Sequence, residues 1–306
     1  MLYLLLFIVC ILLFIFGMNV IRTGLFNLSA HKLKNWLIKV TSTPFKGMLT
    51  GTFITALLQS STAVMVITIG LISSKMMTFP QSIGIILGTN IGTTFKTEII
   101  TFNVDPAIVP LAIIGASLIL VKGRKARSIG LLIFGIASVF TAMKGFEVLA
   151  HPLTSVPFVK HSLLSLNDSI FFSLITGAIL TSIIQSSTAM TGIAMGFLTA
   201  GLLQLNAGIA IMLGANIGTC ITAIIAAIGG GQEAKLAAYA HVWLNVFGVM
   251  LFIPLIPTLV HFSPYLAKQK DVQLAHISVI FNVTSSLLVL PFAAKFGKMI
   301  LYLHKK

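Results

Sequence analysis

The chain has 306 residues, of which 57% are hydrophobic and only 8% charged. A water-soluble domain carries roughly 25% charged residues, so a chain this poor in charge cannot coat a water-facing surface and must be solvated by lipid. Its formal net charge of +14 would suggest a nucleic-acid partner if the basic residues formed one face. They sit instead in short clusters between apolar runs, as membrane-protein loops do, and nucleic acid is set aside.

In chain order, the first apolar stretch, residues 2–21, has no basic residue ahead of it and no small-residue cleavage site. It is also longer than a signal-peptide core, and it reads as a retained membrane helix. Residues 47–74 form a further apolar run of about 28 residues, enough for one tilted crossing at roughly 20 residues. Yet Gln59-Ser60-Ser61-Thr62-Ala63 interrupts its middle. Polar groups at membrane depth are tolerated only inside protein or beside a wet cavity. The run is therefore a continuous kinked helix or a hairpin that enters and returns with the motif at its tip. Residues 79–102 carry Gly88-Thr89-Asn90-Ile91-Gly92-Thr93, and this Gly-rich polar patch predicts a helix broken near the midplane.

Both motifs recur 126 positions later, as Gln185-Ser186-Ser187-Thr188-Ala189 and Gly214-Ala215-Asn216-Ile217-Gly218-Thr219. Thr50-Gly51 with Thr176-Gly177, Thr55 with Thr181 and Gly70 with Gly196 fall on the same offset. Shared apolar bias produces matched Leu and Ile, not matched Gln-Ser-Ser-Thr, so the chain is an internal duplication. The second copy predicts a hairpin over 170–203 and a broken helix over 206–228. The cysteines Cys10 and Cys220 both lie inside apolar runs, which argues against a disulfide scaffold or a thiolate metal site.

Charge placement decides between kink and hairpin. If 47–74 returns, the crossings are 2–21, 79–102, 107–121, 128–149, 206–228, 236–260 and 276–293. With the N-terminus outside, the cytoplasmic side then holds Arg22, Lys32, Lys34, Lys39, Lys46, Lys75, Lys122, Arg124, Lys125, Arg127, Lys235, Lys295, Lys298, Lys305 and Lys306. The outside keeps Lys144, Lys160, Lys268 and Lys270, which is the asymmetry of the positive-inside rule. A crossing at 47–74 would separate the clusters at 22–46 and 122–127. Each half thus has three crossings, an odd number, so the second copy is upside down. The expected architecture is an all-α polytopic membrane protein with an inverted repeat: repeat 1 at 1–126, inverted repeat 2 at 127–260, and a last helix with a basic cytoplasmic tail at 261–306. Inverted repeats whose interrupted segments meet at mid-membrane are the plan of many secondary transporters.

The motif chemistry fits ion binding. Interrupted helices present unpaired N–H groups at one end and unpaired carbonyls at the other, which attract anions and cations respectively. Ser60, Ser61, Thr62, Ser186, Ser187 and Thr188 add hydroxyls that donate to an oxyanion or coordinate a cation. Gln59, Gln185, Asn90 and Asn216 add amide oxygens for a hard cation such as sodium. Lys96 and Glu98 have no counterparts in the second copy, where Thr222 and Ile224 stand. They are expected to form a local charge pair or to face a lumen rather than to act as ligands. Lys144 and Glu147, three apart, predict a supporting ion pair, and His241 with Asn245, four apart on one helix face, could approach the cavity but are read first as helix packing.

Gln-Ser-Ser-Thr paired with Gly-x-Asn-Ile-Gly-Thr, twice, resembles the sodium/phosphate cotransporter family, the type II group and its bacterial relatives. The firm resemblance covers about residues 47–98 and 173–225. It implies a multi-pass plasma-membrane symporter of inorganic phosphate with sodium as the coupling ion, no other cofactor, and two re-entrant hairpins whose tips share one site. On that pattern Gln59, Ser60, Ser61, Thr62, Gln185, Ser186, Ser187 and Thr188 line the site, and Asn90, Thr93, Asn216 and Thr219 complete it. Some bacterial members carry a further soluble domain, so a separate soluble regulatory partner and a homo-oligomer are both admitted. A sodium-coupled carrier of another small anion, such as a dicarboxylate, is the first alternative, although neither motif holds the added cationic or aromatic groups that longer substrates need. A membrane enzyme acting on a phosphorylated lipid would want a general acid or base with a metal or nucleophile, and the motifs hold no carboxylate. The chain is expected not to be an enzyme. A receptor-like role in phosphate sensing is a third alternative.

Overall fold

The computed structural model describes residues 2–39, 43–102 and 104–304, which are helical almost throughout, with no strand among them. Lys305 and Lys306, and the side chains of Lys32, Lys34 and Lys39, lie outside the described residues. In lipid every backbone N–H and C=O must be satisfied within the protein, and helices do this segment by segment. The helices are α1 (Leu2–Lys39), α2 (Pro44–Leu58), α3 (Ser61–Ser73), α4 (Phe79–Ile99), α5 (Ile108–Leu120), α6 (Arg124–Leu153), α7 (Pro157–Asp168), α8 (Ile170–Ile184), α9 (Ser187–Thr199), α10 (Leu205–Gly218), α11 (Cys220–Ala227), α12 (Gln232–Phe252), α13 (Ile256–Leu266), α14 (Lys270–Val289) and α15 (Ala293–His304).

Among the described residues, five helical stretches are long and apolar enough to cross a membrane: Leu2–Leu28, Arg124–Leu153, Leu205–Ala227, Gln232–Leu266 and Lys270–His304. Helices α4 and α5, expected as the crossings 79–102 and 107–121, are both outside that set: α5 with its preceding turn is a shorter apolar helix, Asp105–Leu120, and Gln81, Asn90, Lys96, Glu98 and five threonine or serine residues dilute the apolar content of α4. Most residues of α4 are instead buried within the protein. Arg22 was expected in a cytoplasmic segment after residue 21, but α1 runs on to Lys39 and holds Arg22 inside the helix.

Both Gln-Ser-Ser-Thr segments form helix-turn-helix hairpins, α2–α3 and α8–α9, with matching turns. Gln59 and Gln185 end the first arms in the left-handed region, at φ 51°, ψ 32° and φ 59°, ψ 26°. Ser60 and Ser186 are extended and cap the second arms, accepting from the amides of Ala63 at 3.1 Å and Ala189 at 3.2 Å.

The Gly-Asn-Ile-Gly segments differ from expectation. Helix α4 is continuous through Gly88–Thr93, so the first predicted break is absent. The second is a single residue, Thr219, which keeps right-handed helical angles between α10 and α11. The glycines serve close packing instead. A Cβ on Gly88 would lie 2.1 Å from the Met48 carbonyl oxygen, and one on Gly214 would lie 1.9 Å from that of Leu174. Gly92 against Thr55 and Gly218 against Thr181 repeat the pairing. Backbones that approach this closely need small residues at the seam, so α2 lies on α4 and α8 on α10 in the same register.

Two apolar cores form, and each draws on both copies. One joins Phe14, Ile100 and Phe146 to Met190, Leu213 and Phe281. The other joins Ile54, Met65 and Ile85 to Ala237, Leu244 and Ile300. The hairpins are thereby held against helices of the opposite copy, and their tips converge.

Candidate functional site

The two turns open onto one cavity with about 280 Å³ of room for water-sized occupants. Gln59, Ser60, Ser61 and Thr62 line it from one hairpin, and Gln185, Ser186, Ser187 and Thr188 from the other. Thr93 of α4 and Thr219 complete the pairing. Ten of the twelve residues expected at a site are therefore brought together around one space.

Local folding fixes their chemistry. A non-glycine residue in the left-handed region costs free energy and persists where the surroundings impose it. Gln59 does so with its Nε2 donating to the Ala56 carbonyl, and Gln185 with its Nε2 donating to the Ser182 carbonyl. Each amide oxygen is thus turned away from its own helix. The Gln185 Oε1 accepts from the Thr222 hydroxyl. No hydrogen bond to the Gln59 Oε1 is made among the described residues. The Ser60 and Ser186 oxygens accept cap bonds, so their O–H donors remain for an occupant. The first turns of α3 and α9 also face the cavity, adding the positive ends of two helix dipoles. Thr93 donates to the Thr89 carbonyl at 2.8 Å and Thr219 to the Asn216 carbonyl at 2.7 Å, which keeps their lone pairs for a cation.

Asn90 and Asn216 are not brought to the cavity wall. Asn90 is buried and donates through Nδ2 to the Asn245 Oδ1 at 3.2 Å. Asn216 donates back to the Met212 carbonyl at 2.8 Å. Because α4 continues through the motif, the Asn90 amide reaches α12, whereas the Asn216 amide is held against its own helix. Asn245 also donates to the His241 carbonyl at 2.9 Å, and both residues are buried in the packing role expected of them.

Four polar residues belong to the cavity that the motifs did not announce: Asn19 and Arg22 of α1, Lys96 of α4 and Thr222 of α11. The signal for the first two is periodicity, since Ile15, Met18, Asn19 and Arg22 fall on one helical face and all line the cavity. A Lys96–Glu98 pair does not form. Glu98 lies 2.9 Å from the His276 Nδ1 on α14, and Lys96 faces the lumen, the other option the sequence left open. Lys144 pairs with Glu147 at 2.9 Å as expected, and also with Asp105 at 3.2 Å. No carboxylate lines the cavity, and no group of three or more His, Cys, Asp or Glu able to hold a metal occurs among the described residues.

An all-helical, lipid-solvated chain with two hairpin tips meeting at one polar, carboxylate-free cavity has the construction of a membrane carrier. The Na+/Pi-cotransporter family model matches residues 13–147 and 154–263, and the chain belongs to that family. It is 40% identical over 301 residues to the uncharacterized protein YqeW of Bacillus subtilis, covering 98% of each chain. It is 24% identical over 295 residues to the putative inorganic phosphate export protein YjbB of Salmonella typhimurium, covering 94% of this chain and 54% of that one. A 138-residue segment is 30% identical to the human sodium-dependent phosphate transport protein 2B, covering 43% of this chain and 20% of that protein. No solved structure matches the chain.

Proposed function

We propose that the chain is a sodium-coupled symporter of inorganic phosphate, binding both between its two repeats at the bilayer midplane. The observation that carries this reading is the single cavity lined by both Gln-Ser-Ser-Thr tips, with hydroxyl and amide-terminus donors for an oxyanion and neutral oxygens for sodium. In this reading α2–α3 and α8–α9 are re-entrant, repeat 1 spans 1–126 and its inverted copy 127–260, and 261–306 adds the last helix and tail. Gln59 and Gln185 both offer neutral amide oxygens to sodium, and the ion need occupy only one of the two. Ser60, Ser61, Thr62, Ser186, Ser187 and Thr188 hold the anion, with Thr93 and Thr219 beside them. Asn90 and Asn216 support the site from behind the wall. The cavity has no carboxylate for proton coupling and none for acid–base chemistry, which favours sodium and disfavours an enzyme.

The experiment is uptake of labelled phosphate into proteoliposomes holding the purified protein. An inward sodium gradient should drive uptake, and replacing sodium with choline at fixed pH should nearly abolish it. Full uptake on a proton gradient alone would overturn the reading and redirect attention to Glu98 and His276.

Orientation has its own test. The multi-pass topology proposed puts the N-terminus outside and the C-terminus in the cytoplasm. Single cysteines within 30–40 and 122–127 should then react with an impermeant maleimide only from the cytoplasmic side, and those within 155–165 and 266–271 only from outside. Labelling of 30–40 and 122–127 from opposite faces would exclude re-entrance of α2–α3.

A further inference from the structure

The two halves of the cavity are related by the repeat but differ at one chemically decisive position. In the second copy Thr222 donates its hydroxyl to the Gln185 Oε1. The residue at the same offset in the first copy is Lys96, and it shares the cavity wall with Gln59, whose Oε1 has no such donor. Arg22 of α1, which has no counterpart in the repeat, lies on the same wall. Neither cation belongs to any of the ion pairs among the described residues, which join Lys144 to Asp105 and Glu147, and His276 to Glu98. Two basic groups thus face one small space that holds no carboxylate. That arrangement is unfavourable until an anion enters, because like charges in surroundings of reduced dielectric repel. A sodium ion at the Gln59 oxygen would meet the same repulsion, while one at Gln185, Thr219 and Thr222 would meet only neutral oxygens.

Building on the phosphate-symport reading, we infer that the cavity is functionally unequal: Lys96, with Arg22, fixes the anion at the Gln59 half and bars sodium there. The coupling sodium is taken at the Gln185–Thr222 half. Lys96 is a specificity-determining residue supplied by this chain outside both motifs, at a position where one copy carries a charge and the other a hydroxyl.

The test uses the full chain in proteoliposomes, with phosphate titrated at saturating sodium and sodium titrated at saturating phosphate. Lys96→Thr, which copies the second half into the first, should raise the phosphate KM roughly 10- to 100-fold, the size of one lost charge-assisted hydrogen bond. It should also strengthen sodium binding, by a lower half-saturating concentration or a steeper Hill slope, which general damage to the fold would not do. Lys96→Arg should keep the phosphate KM within a few-fold. Thr222→Lys, which copies the first half into the second, should weaken sodium dependence at least 10-fold without raising the phosphate KM. It decides the matter alone if Lys96→Thr does not fold. A Lys96→Thr protein with wild-type phosphate KM, or a Thr222→Lys protein with wild-type sodium response, overturns the inference while wild-type phosphate uptake leaves the symport reading standing. Wild-type protein that moves no phosphate under any gradient removes both.

Discussion

Ser60→Ala and Ser186→Ala are each expected to weaken apparent phosphate affinity by roughly 5- to 150-fold, and neither half should compensate for the other. Each hydroxyl occupies the turn between two helices and faces the shared cavity. Removing one donor leaves an anion oxygen unpaired at a cost of about 1–3 kcal/mol, and tenfold corresponds to about 1.4 kcal/mol. The same hydroxyl oxygen caps α3 or α9, and losing a cap costs about 1 kcal/mol of stability on its own account. Aspartate separates the two roles, because its carboxylate caps a helix as well as serine does but places a negative charge where the anion must lie. Ser60→Asp and Ser186→Asp should therefore retain thermal stability and lose transport. Phosphate titrations beside melting curves in detergent make the comparison. Aspartate variants that transport like wild type would reduce both serines to caps.

The parts of this site that were legible in the sequence are those whose chemistry is local. A polar Gln-Ser-Ser-Thr in mid-run, twice, left a kink or a turn, charge placement favoured the turn, and the turns are there with serine caps and left-handed glutamines. The helix of the second motif was less legible, because glycine beside asparagine signals either a break or a close approach. Only the neighbour across the seam decides, and here it is a carbonyl of α2 or α8. The continuity of α4 also decides which side chains reach the cavity. On a continuous helix of 3.6 residues per turn, Asn90 and Lys96 lie about 60° to either side of Thr93, about 120° apart. With Thr93 on the cavity edge, one flank faces the space and the other the neighbouring helices. Lys96 took the first place and Asn90 the second. A broken helix imposes no such choice, which is why both asparagines were expected at the cavity, while for the lysine a local charge pair and a lumen-facing position both stayed open. The contribution of α1 was hidden for another reason. Asn19 and Arg22 sit outside the matched motifs, so the duplication carries no information about them, and although they share a helical face with Ile15 and Met18, only the packed neighbours show that this face lines the cavity.

Gly88→Ala and Gly214→Ala should be among the most destabilising single substitutions in this chain. The added methyl would stand 2.1 Å from the Met48 oxygen in one case and 1.9 Å from the Leu174 oxygen in the other. Both obstacles are backbone atoms of a packed helix, so no rotamer change relieves the clash, and the hairpin arm must move away from α4 or α10. Overpacking costs about 1–3 kcal/mol where side chains can adjust. Here a helix must shift, and a loss of about 3 kcal/mol or more is expected, enough to remove a large share of a marginal stability. Separation of these helices would also displace the attached tip, so phosphate affinity should fall in whatever protein still folds. The repeat supplies a control. Gly70 has no heavy atom within 4 Å of an added Cβ, whereas its counterpart Gly196 would meet the Phe146 Cβ at 2.6 Å. Gly70→Ala, in the interior of α3, should therefore be neutral or stabilising by up to about 1 kcal/mol from helix propensity, and Gly196→Ala should destabilise. Thermal melting of the four purified variants in one detergent checks the order, with Gly88→Ala and Gly214→Ala lowest, then Gly196→Ala, then Gly70→Ala at or above wild type. If Gly88→Ala and Gly214→Ala melt with Gly70→Ala, the close seams do not hold the hairpins, and the convergence of the two tips needs another cause.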